Sequence, residues 1–414
     1  MKYTILSALL AFSFFSCKDP EIVDPNPNPN PPVVENPDAV STNDLTNAQN
    51  AFALDLFKEA NSIDAKEENI IISSLSVAIA LAMVTNGANG ETLEEFQQVT
   101  HLAEFETPNV NSGYLKYMQK LQSLDENLSL EIANAVYYDD MGIAVNPAFI
   151  ETVEQYYDAQ IAVKNFKDEA TVTEINDWVK ANTEQKIEKI IDKISADEVM
   201  FLLNAIYFKG GWSKPFDKDL TTEGSFSLED GSTEKVDLMG YRDQWEIYTN
   251  PKLKALNMPL GDSIYNMLFI LPEDESTSLK EFTGNFSLSD FEEITTSLNQ
   301  RDYVIKLPKF ELSYTNKMKD DLMNLGLKLP FDEARADLSN LGSAGGNLYV
   351  SRVVHKTFLK IDEEGATAAA VTAIGIGVES VPPSIYFDRP FLCLIWEKAD
   401  NSILFIAKIM NPNG

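Results

Sequence analysis

The chain has 414 residues and a formal net charge of −31 at pH 7, and it contains only two histidines and two cysteines. This charge disfavours binding to nucleic acid or to heparin-like polymers, because no basic stripe is present to contact the anionic groups. His101 and His355 are too few for a histidine-rich metal centre, and the cysteines cannot form a disulfide framework. We therefore expect no metal and no other cofactor.

The first residues have the organisation of an export signal. A basic start at Lys2 is followed by an apolar run over residues 5–15, too short to span a bilayer, and then by Ser16 and Cys17. Residues 1–17 resemble a bacterial lipoprotein signal peptide, which is cut before a cysteine that becomes lipidated. The resemblance implies an outer-membrane protein, facing the cell surface or the periplasm, held by a lipid at Cys17 alone. An ordinary secretory signal is the alternative.

Residues 18–46 are rich in proline and asparagine and contain no segment around which a core could form. This composition predicts an extended, disordered tether. Residues 47–414 contain no second linker and no repeat, so we expect them to form one large domain. In that domain Cys393 is expected to be a buried thiol.

Hydrophobic patterning in the domain mixes helices and strands. Helical patterns occupy residues 47–62, 74–88, 90–102 and 170–187. Strand patterns occupy residues 128–140, 198–210, 264–273, 302–315 and 347–362, and a hairpin is expected over 384–412. Long strands mixed irregularly with helices predict an α+β fold.

An uncharged segment runs from Ala366 to Val378, between acidic residues and Pro382. It is long for a strand and contains glycines, and its alanines favour a helix, so local propensity is mixed. With a period of two, one face carries Ala366, Ala368, Ala370, Thr372, Ile374, Ile376 and Val378. The other face is small, so the segment suits both a surface loop and a strand on a core.

Motifs for catalysis are missing from the sequence. The glycine-rich stretch GSAGGN lacks the lysine and the strand-to-helix setting of a phosphate loop. A serine–histidine–aspartate triad could use only His101 or His355, and no serine stands in a G-x-S-x-G motif. We therefore expect the protein not to be an enzyme.

Four stretches, in order, resemble the serpin family across the domain: NIIISSLSVAIALAMVTNGANGETLEE, NAIYFKGGWSKPF, VVHKTFLKIDEEG and FDRPFLCLI. Ser74 stands where the family usually has proline, and Asp388 where it more often has asparagine. The resemblance implies three β-sheets, eight or nine helices and an exposed reactive-centre loop over about residues 364–383.

The resemblance also implies a function. A serpin is a suicide inhibitor of serine proteases, and in some cases of cysteine proteases. It traps the acyl-enzyme in a covalent 1:1 complex by inserting its cleaved loop into the central sheet, and it is expected to be a monomer. A non-inhibitory serpin that binds or stores another molecule is the alternative, and a surface adhesin or nutrient-binding lipoprotein is a third hypothesis.

The family spacing, counted from Gly365, implies a reactive bond between Glu379 and Ser380, with Val378 or Ile376 as an alternative residue for the protease's primary pocket. The implied hinge of the loop consists of Glu363, Glu364, Gly365, Ala366, Thr367, Ala368, Ala369 and Ala370. The residues implied to control opening of the sheet are Ser73, Ser76, Asn204, Trp212, Lys309 and His355, with Lys309 paired to Glu363.

Overall fold

A computed structural model describes residues 36–365 and 382–414. In these residues the helices are α1 Thr42–Ile63, α2 Ser74–Thr85, α3 Gly90–Val99, α4 Thr107–Ser123, α5 Pro147–Tyr157, α6 Glu169–Ala181, α7 Leu279–Asn285, α8 Leu288–Ser297 and α9 Lys319–Leu325. Two short 3₁₀ turns cover Lys218–Leu220 and Leu329–Phe331.

The strands of the described residues are β1 Ile70–Ile72, β2 Leu128–Asp139, β3 Ile143–Val145, β4 Ala159–Lys164, β5 Met200–Gly210, β6 Thr222–Ser227, β7 Thr233–Met239, β8 Arg242–Thr249, β9 Leu253–Pro259, β10 Tyr265–Pro272, β11 Asn299–Pro308, β12 Phe310–Lys317, β13 Gly342–Ala344, β14 Val354–Ile361, β15 Ser384–Tyr386, β16 Phe391–Glu397 and β17 Ser402–Ile409. The predicted α+β class is confirmed.

Among the described residues, the largest sheet has ten strands in the order β1-β17-β16-β10-β9-β8-β11-β7-β6, with β15 beside β11. A three-stranded sheet has the order β4-β2-β5, β12 pairs with β14, and β13 pairs with β3. The predicted hairpin over residues 384–412 is present as the β16–β17 pair, and both strands are fully buried.

The apolar helix α2 lies between the sheets and contacts both β5 and β17. It begins at Ser73, whose side chain accepts a hydrogen bond from the backbone nitrogen of Ser76 and so caps the helix. Because α2 is buried along most of its length, the sheets share one hydrophobic core. Helix α6 covers the other face of β5, where Phe201 and Leu203 pack in a smaller cluster with Ile175 and Val179 of α6.

The predicted boundary of the tether differs from the structure. Residues 42–46 form the start of α1, where Ser41 caps the helix and Leu45 is buried. Upstream, the Val40 nitrogen donates to the Asn109 oxygen at 3.0 Å, and Asn36 Nδ2 donates to Asn109 Oδ1 at 3.2 Å. The ordered body therefore includes residues 36–46, because this segment packs on α4.

The strand predicted over residues 302–315 is also divided. It breaks at Lys309 into β11, in the ten-stranded sheet, and β12, which pairs with β14. The break follows Pro308, which has no backbone N–H to donate. Residues 347–353, predicted as strand, have no regular structure before β14 begins at Val354. No helix in the described parts of the chain is apolar and long enough to cross a bilayer.

Candidate functional site

A cleft separates β5 from β14. Within the described residues, β5 pairs only with β2 and β14 pairs only with β12, so each strand has one free edge. A cavity of about 510 Å³ lies between the N-terminal halves of β5 and β14, and a second of about 300 Å³ lies between their C-terminal halves. We call these the lower and upper ends of the cleft. The two strands run parallel along it.

The upper end of the cleft is closed by contacts between the segment after β5 and the segment after β14. Trp212 Nε1 donates to the Asp362 oxygen at 2.8 Å, and the Trp212 nitrogen donates to the Glu364 oxygen at 3.2 Å. The Phe216 nitrogen donates to the Glu363 oxygen at 2.8 Å. The buried residue Trp212 thus binds the acidic turn 362–364 through two hydrogen bonds.

Glu363 is held by two side chains. Lys309 Nζ lies 3.1 Å from Glu363 Oε2, and Thr221 Oγ1 donates to Glu363 Oε1 at 2.7 Å. Burial alone raises the pKa of Glu363, but the hydrogen bonds from Thr221, the backbone and Lys309 outweigh it, so the net shift is downward. The carboxyl group is therefore charged and anchored beside the base of the loop.

Gly365 occupies a position that requires glycine. Its φ is +70°, and a Cβ there would lie 2.4 Å from the Trp212 nitrogen. It also forms an isolated antiparallel bridge with Gly211, just beyond the end of β5. The backbone at Gly365 is therefore antiparallel to the end of β5, whereas β14 is parallel to β5.

Polar residues lie behind the lower half of the cleft. The Ser73 nitrogen donates to His355 Nε2 at 3.1 Å, so the ring is the neutral tautomer with its proton on Nδ1. Burial lowers the pKa of His355 to about 4. Ser73 Oγ donates to the Leu404 oxygen at 3.3 Å, and Ser76 lines the same cavity as His355. Ser73 and His355 thus connect α2 to β14.

Asn204 lines that cavity from the side of β5, and its side-chain hydrogen bond is made to the neighbouring strand β2. Its Nδ2 donates to Asn134 Oδ1 of β2 at 2.7 Å. Its Oδ1 is buried and has no hydrogen-bond partner among the described residues. The structure therefore brings Ser73, Ser76 and His355 together and places Asn204 across the cleft with an unsatisfied acceptor.

The remaining site residues of the sequence analysis lie outside the described residues: Cys17, Ala366, Thr367, Ala368, Ala369, Ala370, Val378, Glu379 and Ser380. Two contacts of the hinge were missed by sequence reasoning. Thr221 binds Glu363, and Lys218 forms an ion pair with Glu364. Both lie far from the hinge in the chain, and nothing in their local sequence indicates the contact.

Comparisons with known proteins agree with this geometry. Residues 47–412 match the family model "Serpin (serine protease inhibitor)". The chain is 32% identical to human serpin B11 over 393 residues, covering 89% of this chain and 99% of that protein. It is 32% identical to leukocyte elastase inhibitor of Xenopus laevis over 380 residues, with the same two coverages. The crystal structure of the thermophilic serpin tengpin in the native state superposes with a TM-score of 0.81 at 32% identity, covering 93% of this chain and 97% of that one.

Proposed function

Because the chain belongs to the serpin family, we propose that it is a suicide inhibitor that traps serine proteases by inserting its cleaved loop between β5 and β14. Members of the family are generally protease inhibitors rather than enzymes. The observation that carries the proposal is the cleft: two parallel strands with free edges face each other, and the chain at Gly365 already runs antiparallel to β5.

The bridge between Gly211 and Gly365 supplies a register for the inserted strand. Antiparallel pairing continued from that bridge sets Ala366 opposite Gly210, Thr372 opposite Asn204 and Ile376 opposite Met200. Residues 366–376 would then cover the eleven residues of β5. The register thus matches the length of the available edge.

The same register predicts which face of the loop is buried. Met200, Leu202, Ile206 and Phe208 of β5 pack on the main core, so the even-numbered positions of β5 face inward. Paired residues of antiparallel strands point to the same side. Even-numbered loop residues would therefore enter the core, which is the face that the sequence pattern selects for burial.

One polar residue on the inward face of the loop would meet a polar residue of β5. Thr372 is the one hydroxyl residue on the inward face of the loop, and it would lie beside Asn204. A hydroxyl group is both a donor and an acceptor. It can donate to the unsatisfied Asn204 Oδ1, which has no other partner among the described residues. Insertion would thereby satisfy an acceptor that is buried without a partner in this structure.

The driving force for insertion comes from backbone pairing and side-chain burial. A strand bonded to both free edges adds backbone hydrogen bonds at about 1 kcal/mol each. Burial of Ile374 and Ile376 contributes about 1.5 to 3 kcal/mol for each side chain. The gross gain is on the order of 15 kcal/mol, and the entropy cost of ordering the loop, about 1–2 kcal/mol for each residue, is subtracted from it.

The trapping chemistry belongs to the protease. Its serine Oγ attacks the Glu379 carbonyl carbon, an ester forms, and the peptide bond to Ser380 breaks to release the new amino terminus. Insertion before water hydrolyses the ester carries the protease across the molecule and distorts its active site. Glu379 would select a protease that accepts an acidic residue, whereas Val378 or Ile376 would suit an elastase-like pocket.

The test is to mix the purified chain with glutamyl-specific and elastase-like serine proteases. We expect a covalent 1:1 complex that survives SDS with at least one of them, and a released C-terminal peptide that begins at Ser380. A peptide that begins at Glu379 would move the bond to Val378. Cleavage without complex across the whole panel would refute inhibition and favour a binding or storage serpin.

We also propose that the chain is an outer-membrane lipoprotein anchored through Cys17. The support is the arrangement of the first residues, a basic start, a short apolar run and then Cys17. Labelling with radioactive palmitate should mark the parent chain and not a Cys17→Ala variant. Equal labelling of the two chains would contradict the anchor.

A further inference from the structure

Side chains cross the lower end of the cleft, where the segment leading into β5 meets the segment leading into β14. Arg352 Nε lies 2.7 Å from Glu198 Oε1, and Arg352 Nη2 donates to Glu198 Oε2 at 3.0 Å. The Glu198 side chain is 3% exposed and that of Arg352 29%. The ion pair is therefore largely shielded from water, unlike most surface pairs.

Both partners are held by further bonds. The Ser195 nitrogen donates to Glu198 Oε2 at 2.7 Å, and Ser351 Oγ donates to Glu198 Oε1 at 3.2 Å. Arg352 Nη2 also donates to the Lys193 oxygen at 2.9 Å. Because only these two neutral donors would remain, removing the cation would leave the buried carboxylate without an opposite charge.

Two more contacts join the same segments. Tyr349 OH donates to Asp197 Oδ2 at 2.6 Å, and the Arg352 guanidinium lies 5.2 Å from the centre of the Phe201 ring of β5. At the upper end the acidic turn has two ion pairs, Lys309 with Glu363 and Lys218 with Glu364, in which the lysine side chains are 34% and 64% exposed. Side-chain contacts therefore close both ends of the cleft, and the carboxylate at the lower end pairs with the less exposed cation.

We infer that the Glu198–Arg352 ion pair is a lower lock of the cleft, which must part before a strand can occupy the whole edge of β5. This inference rests on the proposed insertion of the loop. If the loop inserts in the register set by Gly365, residues 366–376 would lie opposite β5 and the next inward position would lie opposite Glu198. Insertion of the hinge leaves the lock intact, whereas complete insertion has to open it.

The lock therefore opposes the conversion of an uncleaved molecule into a fully inserted, inactive form. Such conversion breaks no covalent bond and therefore needs no protease, but it requires β15 to leave β11 so that the uncleaved loop can reach the lower end of the cleft. An interaction that must break before the strand is complete adds to the activation barrier of that conversion. The lock thereby extends the working life of the intact inhibitor.

The experiment uses the full chain with Arg352→Met, which keeps the length of the side chain and removes its charge. The protein is held at raised temperature without protease, and the growth of a form that melts above the intact one is followed. We expect conversion about tenfold faster or more than in the parent. Freshly prepared variant should still trap protease one for one.

Asp192→Asn is the matched control, because Asp192 pairs with Lys189 on the same side of the molecule and is 87% exposed. It should convert at the parental rate. Tyr349→Phe removes only the hydroxyl bond to Asp197 and should accelerate conversion less than Arg352→Met, which covers the case in which Arg352→Met fails to fold.

If the Arg352 and Tyr349 variants both convert at the rate of the parent chain, the inference that the Glu198–Arg352 ion pair slows conversion is refuted. The failure of the proposed function is recognised separately, because it would appear as absence of covalent complex in the parent itself. Conversion is measured without protease, so either result can occur alone.

Discussion

Replacement of Ala366 by arginine tests where insertion begins. In the proposed register continued from Gly365, Ala366 would enter the sheet opposite Gly210. That position is closely packed: a Cβ added to Gly210 would lie 2.5 Å from Leu128 Cδ1. The upper cavity beside it has an apolar part, lined by Trp212, Leu260, Met267, Ile395 and Phe405, and a charged part that includes Glu184, Asp362 and Glu364. An inward-facing guanidinium group at residue 366 would lie against the apolar part.

The expected effect is on the rate of insertion rather than on its final extent. Placing an uncompensated charge there raises the barrier of the first step by about 3 kcal/mol. A barrier of that size slows the step roughly a hundredfold. Insertion must outrun hydrolysis of the acyl-enzyme, so Ala366→Arg should be cleaved at the same bond and act mainly as a substrate.

The assay is the stoichiometry of inhibition, together with the yield of SDS-stable complex on gels. Thr367→Arg is the matched control, because residue 367 would pair with Lys209, whose side chain is 35% exposed and points away from the main core. It should trap protease much as the parent does. Efficient trapping by Ala366→Arg, or equal loss in both variants, would refute the register.

Three further predictions address the other contacts of the cleft. Thr372→Val should lower the melting temperature of the cleaved form and leave the intact form unchanged, because Asn204 Oδ1 stays unsatisfied at a cost of about 1–3 kcal/mol; equal melting of the cleaved forms would contradict the polar match. Burial lowers the pKa of His355 to about 4, against about 6.5 when unfolded, so its neutral form stabilises the fold above pH 6.5. This contribution is lost as the pH falls toward 4, and the free energy of unfolding from urea titrations should drop by about 3 kcal/mol more in the parent than in His355→Gln; an equal drop in the two chains would contradict the role of burial. Gly365→Ala should reduce the free energy of unfolding by about 2 kcal/mol or more, because φ at this position is positive, and an unchanged denaturation midpoint would contradict that reason.

The sequence predicted the elements whose patterns are regular and strong. The apolar helix α2 and the buried β16–β17 hairpin lie where their patterns indicated. Helix α4 was missed, because Thr107–Ser123 contains a proline and a glycine and has polar residues in its first turns. Its stability comes from tertiary packing, since Gly113 lies against Val40 of the segment that was expected to be disordered.

The residues of the candidate site also include some that the sequence predicted and some that it did not. The hinge and the residues behind the sheet could be named from the resemblance, because their motifs are contiguous stretches of sequence. The bonds of Thr221 to Glu363 and of Arg352 to Glu198 could not, because each joins residues more than a hundred positions apart. The unsatisfied Asn204 Oδ1 is likewise visible only when the positions of both sheets are known.

The division of one extended segment between two sheets at Lys309 has a mechanical consequence. The far end of the loop is attached to β11, where the Val304 nitrogen donates to the Pro383 oxygen at 3.0 Å. The near end is attached to Lys309, whose side chain binds Glu363 and whose nitrogen donates to the Asp237 oxygen at 2.9 Å. Val304 and Lys309 are separated by roughly 17 Å of nearly extended backbone, which stretches very little. A force that a docked protease exerts on Pro383 is thus transmitted along a single strand to the carboxylate that anchors the hinge.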